Sequence, residues 1–178
     1  MSADVGAAVA DRRAAAIACA PMTAATRGDA LRLLSAFLGS DDHYRASSAV
    51  YGDDGAEALG RALDLFLARP ELGFVWLAFA GCADSGARCE AVGACVVCHA
   101  ISTSRGTLVA KLDDVTIACD WRGRGVGTAM LAALAAHLRG IGATRIDCGC
   151  HRDNGGAWRF YEALGFTPLD EERIALLL

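Results

Sequence analysis

The sequence predicts an α/β domain in which helices cover a mixed sheet, with elements in the order β-α-α-β-β-β-α-β-α-β. Three observations carry that expectation. Two early stretches repeat apolar residues at helical spacing, three strand-like runs then follow one another directly, and strands and helices alternate near the end. The 178 residues suffice for one hydrophobic core, and 54% hydrophobic with 21% charged residues is the composition of an ordinary globular domain.

Residues 1–21, "MSADVGAAVADRRAAAIACAP", are alanine-rich without an amphipathic period, and a flexible extension is expected there, with a single domain over 22–178. Arg12-Arg13 before "AAAIACA" has the outline of an export signal, but the apolar run is short and weakly hydrophobic. "MTAAT" reads as a short first strand. "GDALRLLSAFLG" sets Leu31, Leu34, Phe37 and Leu38 on one helical face. "EALGRALDLFLARP" does the same with Leu59, Leu63, Phe66 and Leu67 and stops at Pro70. "GFVWLAFA", "AVGACVVCHAI" and "TLVAKLDDVTIAC" are strands. A helix from about Val126 to Arg139 buries Met130, Leu131, Leu134 and Leu138, and Gly140 ends it. "TRIDCGC" is a strand, "NGGAWRFYEALG" a helix with Ala157, Phe160, Tyr161 and Leu164 on one side, and "ERIALLL" a closing strand.

The net charge of −4 argues against a general nucleic-acid binder, so any anion site must be local. No run approaches ~20 apolar residues, so no membrane span is expected. Cys95-Val-Val-Cys98-His99 and Cys148-Gly-Cys150-His151 have the outline of ligand pairs, but Cys95 and Cys98 are three apart on a strand and so point to opposite faces, which opposes a shared metal. The eight cysteines read as small apolar filler in a reducing cytoplasm, with no metal.

"CDWRGRGVGTAM", residues 119–130, joins a strand to a helix through Gly123, Gly125 and Gly127 beside Arg122 and Arg124. A P-loop needs a lysine after its last glycine, and none is present. A dinucleotide fold gains from Asp147, about 20 residues on, but the third small residue is missing and too little chain remains for further βα units. A coenzyme A pyrophosphate site fits better. Backbone N–H groups at a helix start cradle anions, glycines let phosphate approach the main chain, and the two arginines add charge. A tight strand-to-helix turn is the plain alternative.

Downstream residues weigh in. Arg122-Gly-Arg-Gly125-Val-Gly127, followed by Asn154-Gly-Gly-Ala157-Trp-Arg-Phe160-Tyr161-Glu-Ala-Leu-Gly165-Phe166, resembles in order and separation the paired signatures of the GNAT superfamily of acetyl-CoA-dependent N-acetyltransferases. The resemblance spans roughly residues 22–178, departing where "ACDW" stands in place of a common proline. It implies a mostly antiparallel central sheet and acetyl-CoA as cosubstrate. It also implies a cofactor site from the backbone of Thr116, Ile117 and Ala118, from Arg122, Gly123, Arg124, Gly125, Val126, Gly127 and Thr128, and from Asn154 and Ala157. Asn154 is equally a plain helix cap.

An amine must be neutral to attack a thioester; taking a proton from a lysine-like amine at pH 7 costs about 4.6 kcal/mol. The resemblance points to Tyr161 as the general acid for the leaving thiol, against a purely packing role. Leu112-Asp113-Asp114 is nearest in pattern to the spermidine/spermine (diamine) acetyltransferase branch, which places a glutamate where Asp113 stands. Asp113 is the implied base, through a water, or else only binds the amine or caps a loop. Strict alternation would turn Asp113 and Asp114 to opposite faces.

Asp41-Asp42 and Asp53-Asp54 lie around the two early helices, and with Asp113-Asp114 they suggest a small cationic acceptor: a polyamine, diamine, basic amino acid or aminoglycoside. Solvated loop charges and a peptide amine are the alternatives. A non-catalytic acyl-CoA-binding module is the rival function. The apolar "IALLL" end offers an edge for pairing into a homodimer, by analogy with dimeric relatives.

Overall fold

The computed structural model describes residues 17–40, 55–81, 89–151 and 153–169. Five strands form one sheet: β1 (Ala18–Pro21), β2 (Gly73–Ala80), β3 (Glu90–Ser102), β4 (Thr107–Ile117) and β5 (Ala143–Cys148). Their order in the sheet is that of the chain. The first three pairings are antiparallel, and β4 with β5 is parallel. Four helices flank the sheet: α1 (Arg27–Ser40), α2 (Gly55–Ala68), α3 (Val126–Gly140) and α4 (Gly155–Ala163). The mixed, mostly antiparallel α/β architecture is the one expected.

The first strand is a correction. "MTAAT" is not extended: Ala24–Thr26 form a 3-10 turn, with the Thr23 N–H donating to Thr26 Oγ1 at 2.9 Å. Short hydroxyl side chains that satisfy nearby backbone compete with strand pairing. The strand lies at Ala18–Pro21 instead, inside the segment assigned to the extension, running from Ala18↔Phe79 to Pro21↔Trp76. It is the edge of the described sheet, where proline's missing N–H is tolerated. The expected "ERIALLL" strand, residues 1–16 and the pairs Asp41-Asp42 and Asp53-Asp54 lie outside the described residues.

Two apolar layers hold the helices to the sheet. On one face Leu33, Leu34 and Leu63 from α1 and α2 pack with Val75, Leu77, Ala94 and Val96. On the other, Val126, Met130, Leu131, Leu134 and Leu138 of α3 pack with Trp76, Ala78, Val97 and Leu112. The expected α3 stripe is thus wholly buried. Trp76 Nε1 donates to the Met130 carbonyl at 3.2 Å, tying the first turns of α3 to β2. Cys95 packs in the α3 layer and Cys98 against the α1 layer, on opposite faces as alternation requires. Cys89 is disulfide-bonded, which corrects the reading of every cysteine as reduced filler. Among the described residues no helix is long and apolar enough to cross a membrane.

Gly73 has φ +148, and a Cβ there would be driven into the Val97 carbonyl and lie 2.9 Å from Cys98 Cα. Gly73→Ala is expected to destabilise the fold by about 1–3 kcal/mol. Urea denaturation checks this as a lower midpoint at unchanged slope.

Candidate active site

β4 departs from regular pairing twice. Between the rungs Val96↔Asp113 and Ala94↔Thr116 it carries one residue more than β3, a bulge. Asp114 stands there at φ 49, a left-handed conformation that aspartate adopts more readily than most residues. Pairing with β5 then ends at Leu112↔Cys148, although β4 continues to Ile117. Beyond that rung the two strands part.

The opening exposes backbone. Ala118 donates its N–H to the Val92 carbonyl at 2.8 Å, and Thr116 is the rung partner of Ala94, so these residues face β3. Alternation turns the N–H and C=O of Ile117 the other way, into the gap. There Arg122 Nε donates to the Ile117 carbonyl at 3.0 Å. Of the three backbone positions expected to meet a cofactor, Ile117 is the one whose N–H is aimed at the opening.

A short 3-10 turn, Cys119–Trp121, leads from β4 to α3. Arg124 lies over the Trp121 ring, 5.3 Å from its centroid. Gly123 and Gly125 have φ +70 and +77, with nothing within 4 Å of a Cβ at either. That combination both demands glycine and leaves space beside the main chain. The N–H groups of Val126, Gly127 and Thr128 have no acceptor among the described residues; helical bonding starts with Ala129 N–H to the Gly125 carbonyl at 3.0 Å. Unpaired amides, the positive end of the α3 dipole and two arginines suit a pyrophosphate. Gly127 has a different reason to be glycine. A Cβ there would sit 3.1 Å from Phe160 Cζ, so its bareness seats α4 against α3.

α4 is capped by Asn154, whose side chain accepts from the Ala157 N–H at 3.0 Å. The plain cap expected for Asn154 is therefore present, and it occupies the Ala157 amide. Tyr161 is half-buried, with Phe160 and Phe166 ring centroids each 5.3 Å away. Burial pushes its phenol well above the ordinary tyrosine value, and the neighbouring Cys148 adds to the shift. The hydroxyl is thus a proton donor throughout the neutral range.

Asp113 is not beside Tyr161. Its rung partner Val96 packs in the α1/α2 layer, whereas Tyr161 packs in the α3/α4 layer. Rung partners share a face, so the carboxylate and the phenol flank the opening from opposite faces of the sheet. Asp113 lies 3.5 Å from Lys111 Nζ. The bulge removes the alternation on which opposite faces for Asp113 and Asp114 were expected. Lys111 and Trp121 were not singled out from sequence. An Asp-Asp pair in the middle of a strand was the available signal for the bulge.

Residues 42–166, well over half of the chain, match the acetyltransferase (GNAT) family model. No curated protein matches the sequence. Among solved structures the chain is similar to an acetyltransferase of Trypanosoma brucei at 18% identity and TM-score 0.63, covering 92% of this chain and 100% of that one. It is similar to the ribosomal-protein-alanine N-acetyltransferase of Brucella melitensis at 13% identity and TM-score 0.66, covering 92% and 99%. It is also similar to the glucosamine-6-phosphate N-acetyltransferase of Arabidopsis thaliana at 12% identity and TM-score 0.62, covering 90% and 98%. At such identities the likeness to these structures is one of fold. Through its match to the family model, the chain belongs to the acetyltransferase (GNAT) family.

Proposed function

We propose that this N-acetyltransferase moves the acetyl group of acetyl-CoA to the primary amine of a small cationic acceptor by direct attack in a ternary complex. The observation that carries the reading is the start of α3, with its free amides, beside the gap toward which the Ile117 N–H turns, on the face of the sheet where Tyr161 packs.

Acetyl-CoA supplies an activated thioester. The amides of Val126, Gly127 and Thr128, with Arg122 and Arg124, bind its pyrophosphate, and the open main chain at Gly123 and Gly125 allows close approach. The backbone of Thr116, Ile117 and Ala118 runs along its arm, and Asn154 and Ala157 orient α4 beside it. The Ile117 N–H polarises the acetyl oxygen, where a fixed donor is most effective as negative charge develops. Tyr161 delivers a proton to the leaving sulfur. Asp113 receives the amine proton through water; its short side chain and its place on the other face favour that route over direct contact.

The cationic acceptor is supported by Asp113 and Asp114 at the bulge and by the similarity of Leu112-Asp113-Asp114 to the diamine branch. A peptide amine uses the same chemistry and is the second reading for the acceptor.

An amine panel with free-thiol detection tests the activity. Diamines or basic amino acids should stimulate thiol release; if no amine does so while acetyl-CoA still raises the melting temperature, the protein is a binding module. Tyr161→Phe should lower kcat by about 100-fold, the usual worth of a general acid, with little change in acetyl-CoA affinity. Unchanged turnover would remove the residue from that role. Gly125→Val, placing a branched side chain at φ +77 beside the cradle, should weaken acetyl-CoA binding at least tenfold by calorimetry. Normal affinity would refute the cradle.

A further inference from the structure

Resting on the reading of the Ile117 N–H as the donor to the acetyl oxygen, we infer that Arg122 is a positioning residue for that reaction. Its Nε holds the end of β4 so that the Ile117 N–H stays turned into the gap, while its terminal nitrogens meet the pyrophosphate. Ile117 is the last residue of β4, past the bulge and past the last rung with β5. A strand end bonded along one edge only frays at little cost. Here the peptide unit joining Ile117 to Ala118 is held from both sides. Its N–H donates to the Val92 carbonyl at 2.8 Å, and its carbonyl accepts from Arg122 Nε at 3.0 Å. The N–H and C=O of one strand residue point the same way, so a bond that fixes the Ile117 carbonyl also aims its N–H.

The loop is folded to deliver that bond. The Trp121 N–H donates to the Ala118 carbonyl at 2.8 Å and the Arg122 N–H to the Cys119 carbonyl at 3.2 Å, which turns the chain back over the strand end. Arg122 is exposed, and its two terminal nitrogens have no partner among the described residues. A guanidinium is planar and carries its donors in a fixed fork, so one group can bind a carbonyl through Nε and an anion through its far edge. Arg124 is held differently. It lies over the Trp121 ring and donates no hydrogen bond among the described residues. Of the two loop arginines, Arg122 is the one that links the anion site to the strand carrying the acetyl-oxygen donor. Without it the Ile117 carbonyl is left to water, and the donor can turn away from the place where charge develops.

Side-chain length separates the two duties. The side-chain nitrogen of glutamine stands as many bonds from Cα as the arginine Nε does, and methionine puts a methyl group there. Neither carries charge. Arg122→Gln and Arg122→Met should therefore both raise the KM for acetyl-CoA several-fold. Arg122→Met should also lower kcat about tenfold, less than the outright loss of an oxyanion donor costs. Arg122→Gln should restore most of that kcat. The same two substitutions at Arg124 should raise KM and give kcat values equal to each other. Equal kcat for glutamine and methionine at 122 would reduce Arg122 to an anion ligand and sink the positioning role.

A second measurement does not depend on turnover. Amide hydrogen exchange at Ala118 in the free protein, followed by NMR, should be several-fold faster in Arg122→Met than in the unsubstituted protein. In Arg122→Gln it should stay near the original rate, with the amide of the buried Leu77 on β2 as internal reference. Equal Ala118 rates in the three proteins would overturn the tether. If exchange follows the expected pattern while kcat does not, or no amine is turned over, it is the reading of the site that has failed, and the role of Arg122 in the reaction falls with it.

Discussion

The site depends on one interruption: β4 stops pairing with β5 at Leu112↔Cys148 while its other edge stays bound to β3 as far as Ile117↔Gly93. A strand inside a sheet normally satisfies both edges, and an unpaired edge offers donors and acceptors to whatever approaches. Here the gap is not left wholly open. The Ile117 carbonyl is taken by Arg122, which leaves the N–H as the available group. A strand edge that offers a donor without a competing acceptor is suited to a carbonyl oxygen. The bulge at Asp114 sets the direction of these groups, since one extra residue on β4 decides which amides turn to β3 and which to the gap.

The same interruption explains why the glycine loop sits where it does. The loop follows β4 after a single 3-10 turn, so the start of α3 is delivered to the mouth of the gap. The mount is stiff. Met130 is held to Trp76 by a hydrogen bond, and Gly127 lets Phe160 approach the helix closely. The three glycines therefore do different work. Gly123 and Gly125 supply left-handed backbone with open space, whereas Gly127 supplies contact between helices. A larger residue at Gly127 would press on Phe160 and, through α4, on Tyr161 next to it.

α2 and α3 were legible from sequence because helical periodicity and burial agree, whereas α1 buries Ala30, Leu33 and Leu34 and leaves Phe37 and Leu38 of its expected stripe only partly covered. Every residue of the α3 stripe is buried, and Leu63, with Leu59, Phe66 and Leu67 packed around it, faces the core as the spacing indicates. The paired motifs at 122–127 and 154–166 marked both helix starts at the site, with Asn154 seen to cap α4. Strand edges were less legible. Alanine, cysteine and proline at 18–21 carry little strand preference, so β1 is set by its partner β2 and not by its own residues. Alternation failed at Asp114 because a bulge is a relation between two strands that one strand's sequence does not contain. Lys111 escaped notice for the same reason: its importance comes from the side chain beside it, Asp113.

The separation of Asp113 from Tyr161 bears on the proposed chemistry. Placed on opposite faces of a parted sheet, the carboxylate and the phenol can each serve its own reactant. In the proposed reaction the α3/α4 face meets the demands of the thioester, which are the same for every acceptor, and the α1/α2 face those of the amine, which are not. The Brucella and Arabidopsis enzymes share this fold, and their names point to a ribosomal-protein alanine and an amino sugar phosphate. On this chain the α1/α2 face already holds a cation, Lys111, beside Asp113. A half-exposed ion pair of that kind is worth at most about 1 kcal/mol, so an incoming ammonium can displace it at small cost. Lys111 therefore does not bar a cationic acceptor. In the proposed reaction it would keep Asp113 compensated until the amine arrives, which is compatible with a water, and not the carboxylate itself, taking the amine's proton first.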